Sequence, residues 1–372
     1  MSFYPICAEY NDAPLAEQFG SVTEHDVRRA INKTKLNPKD FLALLSPAAI
    51  PFLEEMAQKA NQLTLQNFGK TIQLFTPLYM ANFCTNRCIY CGFNTKNKIP
   101  RTQLGPEELE TEAKAIAETG LKHLLILTGD ARTKSSPEYV ESAVKILSRY
   151  FPSVSIEIYA MTEEEYARQV EAGVDGMTMF QETYNEELYP ELHPAGPKRD
   201  YRFRLDAPER ACKAGMRVVN IGALLGLDEW RHDALKTGIH AAYLQDKYPD
   251  VDIAVSLPRI RTHVGDAFVP RSLVSDISLT QNMLALRLFL PRCGITISTR
   301  EAPEFRENIL PLGVTRMSAG VSTEVGGHTK TDEKVGQFDI SDGRSVEEMS
   351  QVLRKHGYQP VFKDWHSLKE AS

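Results

Sequence analysis

Residues 105–129 read GPEELETEAKAIAETGLKHLLILTG, a helical pattern followed directly by an apolar run. Pro106 suits the first turn of a helix and Gly120 suits its end, so the sequence predicts a helix between them. The run from residue 122 is almost continuously apolar, which is typical of a strand in a parallel sheet that helices cover. The stretch therefore predicts one helix–strand unit of an α/β fold.

The same unit recurs along the chain. Further apolar runs begin at residues 71, 154, 175, 216, 251, 295 and 314. Helical patterns separate them, and one begins with a capping box in which Glu165 follows Thr162 by three residues. Eight strands with helices between them fit a closed (β/α)8 barrel, whose usual size is about 250 residues. An open doubly wound sheet is the alternative, but no glycine-rich phosphate turn follows the first strand, which favours the barrel.

The barrel is expected to occupy residues 71–320. Residues 1–70 are predicted to form an N-terminal helical extension, whose last helix runs from Ser46 to Gly69. Residues 321–372 are predicted to form a C-terminal loop and a tail that packs on the barrel.

The composition is that of a soluble globular protein, since 42% of the 372 residues are hydrophobic and 25% are charged. A formal net charge of −6 without a long basic run argues against a nucleic-acid partner. The N-terminal residues lack the features of a secretory signal, and no apolar run approaches the roughly 20 residues of a membrane span. We therefore expect a cytoplasmic protein that binds neither nucleic acid nor membrane. Six cysteines in so long a chain do not predict a disulfide framework.

Three of the cysteines lie close together directly after the first predicted strand. Residues 79–93 read YMANFCTNRCIYCGF, which places thiols at Cys84, Cys88 and Cys91. A structural zinc site uses four protein ligands, and no fourth cysteine or histidine lies nearby. A four-iron cluster is held by thiolates, and three of them leave one iron with an open coordination position. Three free thiols, or a zinc site completed by a distant residue, are the alternatives.

Other candidate site residues follow from the barrel prediction, because barrel enzymes carry their chemistry at the C-terminal ends of the strands. Polar or small residues stand at several of these ends. They are Gly129 and Asp130, Gln181 and Glu182, Pro258 and Arg259, Ser298 to Arg300, and Ser318 to Gly320.

At the cysteine loop the sequence resembles the radical S-adenosylmethionine (SAM) superfamily. The hallmark of that superfamily is C-x3-C-x-φ-C with an aromatic φ, and Tyr90 occupies this position. The resemblance implies that Cys84, Cys88 and Cys91 hold a [4Fe–4S] cluster, that SAM chelates its fourth iron, and that Tyr90 contacts the adenine. It also implies that the reduced cluster cleaves SAM to methionine and a 5′-deoxyadenosyl radical, from which the barrel excludes water.

Further SAM contacts are implied one residue at a time. Gly129 and Asp130 resemble the turn that receives the methionine amino group, although the usual turn ends in glutamate. Gln181 or Glu182 corresponds to the contact with the ribose hydroxyls. Arg204 lies in YRFRLD, which is similar to the segment of biotin synthase that binds the SAM carboxylate. The alternatives are an exposed helix arginine for Arg204, a solvent-facing carboxylate for Glu182 and a buried aromatic for Tyr90.

Longer matches indicate a branch of the superfamily. Residues 180–235 resemble the aromatic amino-acid lyases. Residues 298–329, 336–349 and 353–365 resemble the 2-iminoacetate synthases, the tyrosine lyases of thiamine biosynthesis. This resemblance implies cleavage of the Cα–Cβ bond of L-tyrosine to 2-iminoacetate (dehydroglycine) and 4-cresol. It also implies a thiazole synthase (ThiG) as protein partner and an electron donor such as flavodoxin or ferredoxin.

A free amino acid needs a partner for its carboxylate. Arg300, at the end of the seventh predicted strand, is predicted to bind it, because a guanidinium can form two parallel hydrogen bonds to a carboxylate. The alternative is that Arg300 pairs with Glu301 or Glu304.

Three other functions remain as alternatives. The tyrosine lyase of [FeFe]-hydrogenase maturation makes the same cut but carries a second cysteine motif in a further domain, whereas no cysteine follows Cys293 in this sequence. A tryptophan lyase of the same superfamily is the second alternative. The third is a barrel that binds a metal without catalysis.

Overall fold

The computed structural model describes residues 2–261, 268–329 and 336–363. Within them, eight strands form one parallel sheet that closes on itself, because the first strand pairs with both the second and the eighth. The strands are β1 (Thr71–Ala81), β2 (His123–Thr128), β3 (Ser153–Glu157), β4 (Gly176–Glu182), β5 (Val218–Ala223), β6 (Asp252–Ser256), β7 (Gly294–Ile297) and β8 (Arg316–Ser318). The predicted (β/α)8 barrel is confirmed.

Helices surround the barrel and precede it. The α-helices are α1 (Tyr4–Asp12), α2 (Leu15–Gly20), α3 (Glu24–Asn32), α4 (Pro38–Leu45), α5 (Leu53–Phe68), α6 (Pro106–Glu118), α7 (Pro137–Leu147), α8 (Glu163–Ala172), α9 (Tyr189–Leu192), α10 (Tyr201–Leu205), α11 (Ala207–Lys213), α12 (Trp230–Lys247), α13 (Asp276–Phe289), α14 (Pro303–Asn308) and α15 (Val346–Lys355). Short 3-10 helices cover Pro47–Phe52, Pro197–Arg199 and Leu310–Leu312. None of the described helices has the length and apolar character needed to cross a membrane.

The local signals in the sequence explain most helix starts. The predicted capping box at the start of α8 is present, since the Thr162 side chain accepts from the Glu165 backbone and Glu165 bonds back to Thr162. The predicted helix from Ser46 to Gly69 is interrupted, because a 3-10 helix runs to Phe52 and α5 begins only at Leu53. Pro51 accounts for the break, since proline lacks the N–H that a continuous α-helix needs.

The two faces of the barrel strands differ sharply in polarity. On the outer face, side chains such as Ile156, Val219 and Ile221 are buried in the hydrophobic core between the sheet and the helices. The inner face is rich in small polar side chains: Ser153, Ser155, Thr178, Asn220, Ser256, Thr296 and Ser318. Small polar residues therefore replace many of the bulky branched residues that usually fill such barrels, although Leu125 and Leu127 remain, and a cavity of about 220 Å³ lies in the interior.

The C-terminal residues lie against the barrel. A ninth strand, β9 (Gln359–Val361), adds in parallel to the first residues of β1. Arg306 on α14 and Asp342 form a buried ion pair, and Gly320 donates its backbone N–H to the carbonyl of Arg344 at 3.0 Å. The division at residues 70 and 320 stays a prediction.

Candidate active site

The cysteine loop between β1 and α6 is held together from within by Arg101. Its guanidinium donates to the backbone carbonyls of Asn82 at 2.6 Å, Phe93 at 2.9 Å and Asn94 at 2.7 Å. Because these carbonyls lie on both sides of the three cysteines, one side chain fixes the width of the loop.

The end of β2 holds the loop in place over the barrel. Asp130 accepts from the backbone N–H of Thr85 at 2.8 Å and, through Oδ2, from the side chain of Asn86 at 2.7 Å. A Cβ atom at Gly129 would lie 2.2 Å from the carbonyl oxygen of Phe83, so only glycine permits this approach. Asp130 Oδ1 is buried and has no hydrogen-bond partner among the described residues. The sequence-predicted turn is thus packed directly on the cysteine loop.

The three thiols are neighbours, and the environment of Cys84 and Cys88 disfavours the thiolate. Burial raises the pKa of Cys84 and raises that of Cys88 to about 12, and the charge of Cys91 adds to both shifts. In the described parts of the chain, no three Cys, His, Asp or Glu side chains converge on a point that could hold a single metal ion. Each thiolate of a four-iron cluster binds a different iron, which requires neighbouring rather than convergent thiols. The donor set therefore fits a cluster better than a single ion.

Tyr90 is fixed in the cavity wall beside the cysteines. Its hydroxyl lies 2.6 Å from Nε2 of His193, and Nδ1 of His193 lies 2.9 Å from the carbonyl oxygen of Tyr189. Because a carbonyl only accepts, Nδ1 carries the proton and Nε2 accepts from Tyr90. Burial lowers the pKa of His193 to about 2, so the ring stays neutral. Lys198 Nζ lies 5.6 Å from the centroid of the Tyr90 ring.

Glu182 has an unusual backbone at the end of β4. Its φ is +72°, and the register of the sheet shifts between Phe180 and Glu182. A non-glycine residue in this region costs about 1–3 kcal/mol, and such strain is concentrated at functional sites. The carboxylate faces the cavity, forms an ion pair with Lys198 and lies 3.6 Å from the guanidinium of Arg204. The bulge therefore turns a carboxylate toward the cysteine loop.

Two other sequence-predicted residues near β4 bond to backbone carbonyls. Gln181 is buried and donates to the carbonyl of Tyr201 at 3.4 Å, outside the lining of the cavity. Arg204 is buried and donates through Nε to the carbonyl of Phe180 at 2.7 Å. Of the pair Gln181 and Glu182, the structure thus presents only Glu182 to the cavity.

Arg300 lies in the cavity wall and does not pair with its neighbours. Glu301 accepts instead from Arg259 at 3.0 Å and from Arg261 at 2.9 Å. The Arg300 guanidinium stacks on Phe338, with 3.4 Å between its central carbon and the ring centroid. Burial lowers the pKa of Arg300, although nearby acidic groups oppose the shift. A cation is therefore presented to the cavity. The alternative that Arg300 pairs with Glu301 or Glu304 is wrong, since neither ion pair is present among the described residues.

Three further residues of the site were not predicted from the sequence. Glu157, the last residue of β3, lines the cavity, and burial raises its pKa to about 7 while the charge of Arg300 opposes the shift. Alternation along β3 could have found it, since Ser155 and Glu157 share the inner face. Gln337 and Phe338 also line the cavity, but they come from the tail and no local pattern marks them.

Comparisons with known proteins define the class. Residues 78–237 match the family model described as Radical SAM superfamily, and residues 256–359 match that of the Biotin and Thiamin Synthesis associated domain. The solved structure of HydG, a maturase of the [FeFe]-hydrogenase, superposes with a TM-score of 0.88 at 30% identity, covering 95% of this chain and 80% of that one. Methylornithine synthase (PylB) shares the fold, with a TM-score of 0.72 at 21% identity, covering 90% of this chain and 97% of that one. The barrel and its cysteine loop thus define a radical SAM enzyme, whose cofactors are a [4Fe–4S] cluster and SAM.

Curated relatives identify the branch. The 2-iminoacetate synthase of Escherichia coli K12 is 39% identical over 346 residues, which cover 93% of this chain and 92% of the relative. The 2-iminoacetate synthase of Salmonella typhimurium LT2 is 38% identical, covering 96% of this chain and 95% of the relative. The chain belongs to the 2-iminoacetate synthase family.

Proposed function

We propose that the protein cleaves the Cα–Cβ bond of L-tyrosine to 2-iminoacetate and 4-cresol, with SAM converted to methionine and 5′-deoxyadenosine. One observation carries the proposal beyond the family: Cys91 and Arg300 line the same cavity. A site for radical generation and a cation for the carboxylate of an amino acid therefore share one compartment.

The cysteine loop would hold the cluster. When bound and reduced, the cluster supplies the electron that cleaves SAM to methionine and a 5′-deoxyadenosyl radical. Cys84, Cys88 and Cys91 are the proposed ligands, and thiols bind iron as thiolates. Burial favours the neutral thiol at Cys84 and Cys88, so these two must release a proton when the cluster binds. Arg101 and Asp130 keep the three thiols at a fixed spacing.

The groups around the loop suit the polar parts of SAM. The unpartnered Oδ1 of Asp130 can accept from the methionine ammonium, and Arg204 carries the positive charge that a carboxylate needs. Glu182 is the proposed partner of the ribose hydroxyls, and Tyr90 offers an aromatic face to the adenine. Gln181 is the weaker candidate for the ribose, because its amide donates to Tyr201.

The cavity suits tyrosine. Arg300 is the proposed partner of the substrate carboxylate, since its stacking on Phe338 fixes the plane of the guanidinium. Glu157 lies on the same wall and supplies a carboxyl group for the substrate ammonium. The surrounding barrel excludes water from the radical.

The partners are part of the proposal. Conversion of SAM to methionine and 5′-deoxyadenosine consumes two electrons and a proton per turnover, one electron to cleave SAM and one to reduce the cresol-derived radical, so a low-potential carrier such as flavodoxin or ferredoxin is required. A thiazole synthase is the proposed acceptor of 2-iminoacetate, since the matched Biotin and Thiamin Synthesis associated domain fits a thiamine pathway. The hydrogenase-maturation reaction is the second candidate, because HydG is 30% identical, although the two curated 2-iminoacetate synthases are closer at 39% and 38%.

The cysteine assignment is tested by single substitutions. Cys84→Ala, Cys88→Ala and Cys91→Ala should each lose bound iron and stop the formation of 5′-deoxyadenosine, since three thiolates are needed to hold the cluster. Cys212→Ala, on α11 and outside the cavity lining, is the matched control and should keep both. Iron analysis and chromatography of the nucleoside products give the two readouts. Formation of 5′-deoxyadenosine by a variant that lacks all three thiols would show that the cluster lies elsewhere.

A further inference from the structure

Residues 336–338, here called the C-terminal strap, lie directly on the cysteine loop. A Cβ atom at Gly92 would come within 2.6 Å of the carbonyl oxygen of Gln337, so the two backbones are in close contact. The backbone N–H of Gln337 donates to Thr323 at 3.3 Å, and the ring of Phe338 stacks on Arg300. The strap is therefore held between the loop after β8 and the wall of the cavity.

The side chain of Gln337 is oriented by a second residue. The hydroxyl of Tyr79 on β1 donates to Oε1 of Gln337 at 2.8 Å. With Oε1 at this hydroxyl, the NH2 end of the amide faces the loop, where Nε2 lies 3.8 Å from Sγ of Cys91. Sulfur is a large and weak acceptor, so such bonds are longer than those to oxygen.

This contact is distinct from the others around the thiols. Backbone N–H groups of Asn86 and Asp130 face the Cys84 thiol. Among the described residues, Gln337 is the side chain that donates to one of the three thiols. A side-chain donor can be removed by substitution, whereas a backbone N–H cannot, so the effect of the Gln337 hydrogen bond on Cys91 can be measured.

We propose that Gln337 tunes the reduction potential of the cluster by donating an N–H to the Cys91 thiolate, with Tyr79 as the residue that positions it. The inference rests on the proposed role of Cys91 as a cluster ligand. Hydrogen bonds to the sulfurs are among the features that set the potential of iron–sulfur clusters. Reduction adds negative charge that the thiolates share, so a donor stabilises the reduced form and raises the potential.

The test is a redox titration of the reconstituted protein, followed by the electron paramagnetic resonance signal of the reduced cluster. Gln337→Leu keeps the volume of the side chain and removes the donor. We expect it to bind four irons, as a single four-iron cluster requires, and to have a more negative midpoint potential. The expected change is on the order of tenfold in the reduction equilibrium constant, about 59 mV for a one-electron couple.

Two further variants make the result decisive. Tyr79→Phe removes the hydroxyl that orients the amide and should shift the potential in the same direction by less. Gln351→Leu, on α15, where the glutamine bonds only to Glu347, should leave the potential unchanged. A midpoint potential in Gln337→Leu equal to that of the wild type overturns the inference. If Gln337→Leu binds no iron, an unshifted midpoint potential in Tyr79→Phe overturns it instead. A wild-type protein without a cluster would instead refute the proposed function.

Discussion

Arg300 is the residue on which the substrate assignment depends. It faces the cavity as a cation stacked on Phe338, while Glu301 is bonded to other arginines. Loss of one buried charge-assisted contact typically costs about 2–5 kcal/mol. Arg300→Ala should therefore weaken tyrosine binding by that amount while SAM is still cleaved without product, because the cysteine loop is untouched.

Steady-state kinetics and the ratio of cresol to 5′-deoxyadenosine measure this effect. Arg300→Lys should recover only part of the affinity, since it keeps the charge but loses the planar fork. Arg292→Ala, at an exposed position, is the control and should match the wild type. Unchanged tyrosine kinetics in Arg300→Ala would remove the residue from the substrate site.

His193 makes the stability of the cluster-free protein depend on pH. Burial lowers its folded pKa to about 2, below its ordinary value of 6.5. At pH values between these two pKa values, the unfolded state binds more protons than the folded state. The stabilising effect of the neutral ring is therefore fully present above pH 6.5 and is lost as the pH falls. The free energy of unfolding should decrease by about 1.4 kcal/mol per pH unit below 6.5 because of this residue.

Denaturant unfolding at pH 7, 6 and 5 measures that slope. His193→Gln should have a shallower slope than the wild type, whereas His25→Gln, at an exposed position, should match the wild type. Equal slopes in His193→Gln and the wild type would mean that His193 is protonated in the folded protein.

At the scale of elements, the cysteine loop depends on the turn that follows β2. A Cβ atom at residue 129 would lie 2.2 Å from the Phe83 carbonyl oxygen and 3.2 Å from the Cys84 Cβ. Gly129→Ala should therefore displace the loop, lower the iron content severalfold and reduce the free energy of unfolding by about 1–3 kcal/mol. Iron analysis and denaturant unfolding are the measurements.

The matched control for that substitution is Gly20→Ala at the end of α2. A Cβ atom there would have no other atom within 4 Å, so neither the iron content nor the free energy of unfolding should fall. Full iron binding by Gly129→Ala would show that the turn does not determine the position of the thiols.

Elements were predictable where a pattern is local. The apolar runs identified the strands because the outer face of each strand packs in the core against the helices, and the cap at Thr162 identified the start of α8. The break at Pro51 was missed because Ser46 and Gly69 bracket an otherwise helical pattern. The roles of Gln337 and Phe338 could not be predicted, since they depend on how the tail folds back on the barrel.

For the whole molecule, the important departure is the polar interior of the barrel. Asn220 donates to Thr178 at 3.2 Å and to Ser256 at 2.7 Å, so these strands use hydrogen bonds where bulky apolar side chains usually pack. The cavity that remains is closed at one end by the cysteine loop and the C-terminal strap. The fold thus supplies an enclosed space for a substrate, which the three-cysteine motif alone does not predict.

Product analysis with an iron count on one preparation distinguishes tyrosine cleavage for thiamine biosynthesis from the hydrogenase-maturation reaction. The protein is reconstituted anaerobically with iron and sulfide, then incubated with SAM, a reductant and tyrosine labelled with carbon-13 at Cα. The account predicts four irons per chain, the content of a single four-iron cluster, with unlabelled 4-cresol and labelled glyoxylate from hydrolysis of 2-iminoacetate. Carbon monoxide in amounts equal to cresol, together with about eight irons, the content of two clusters, would contradict it in favour of the hydrogenase-maturation reaction.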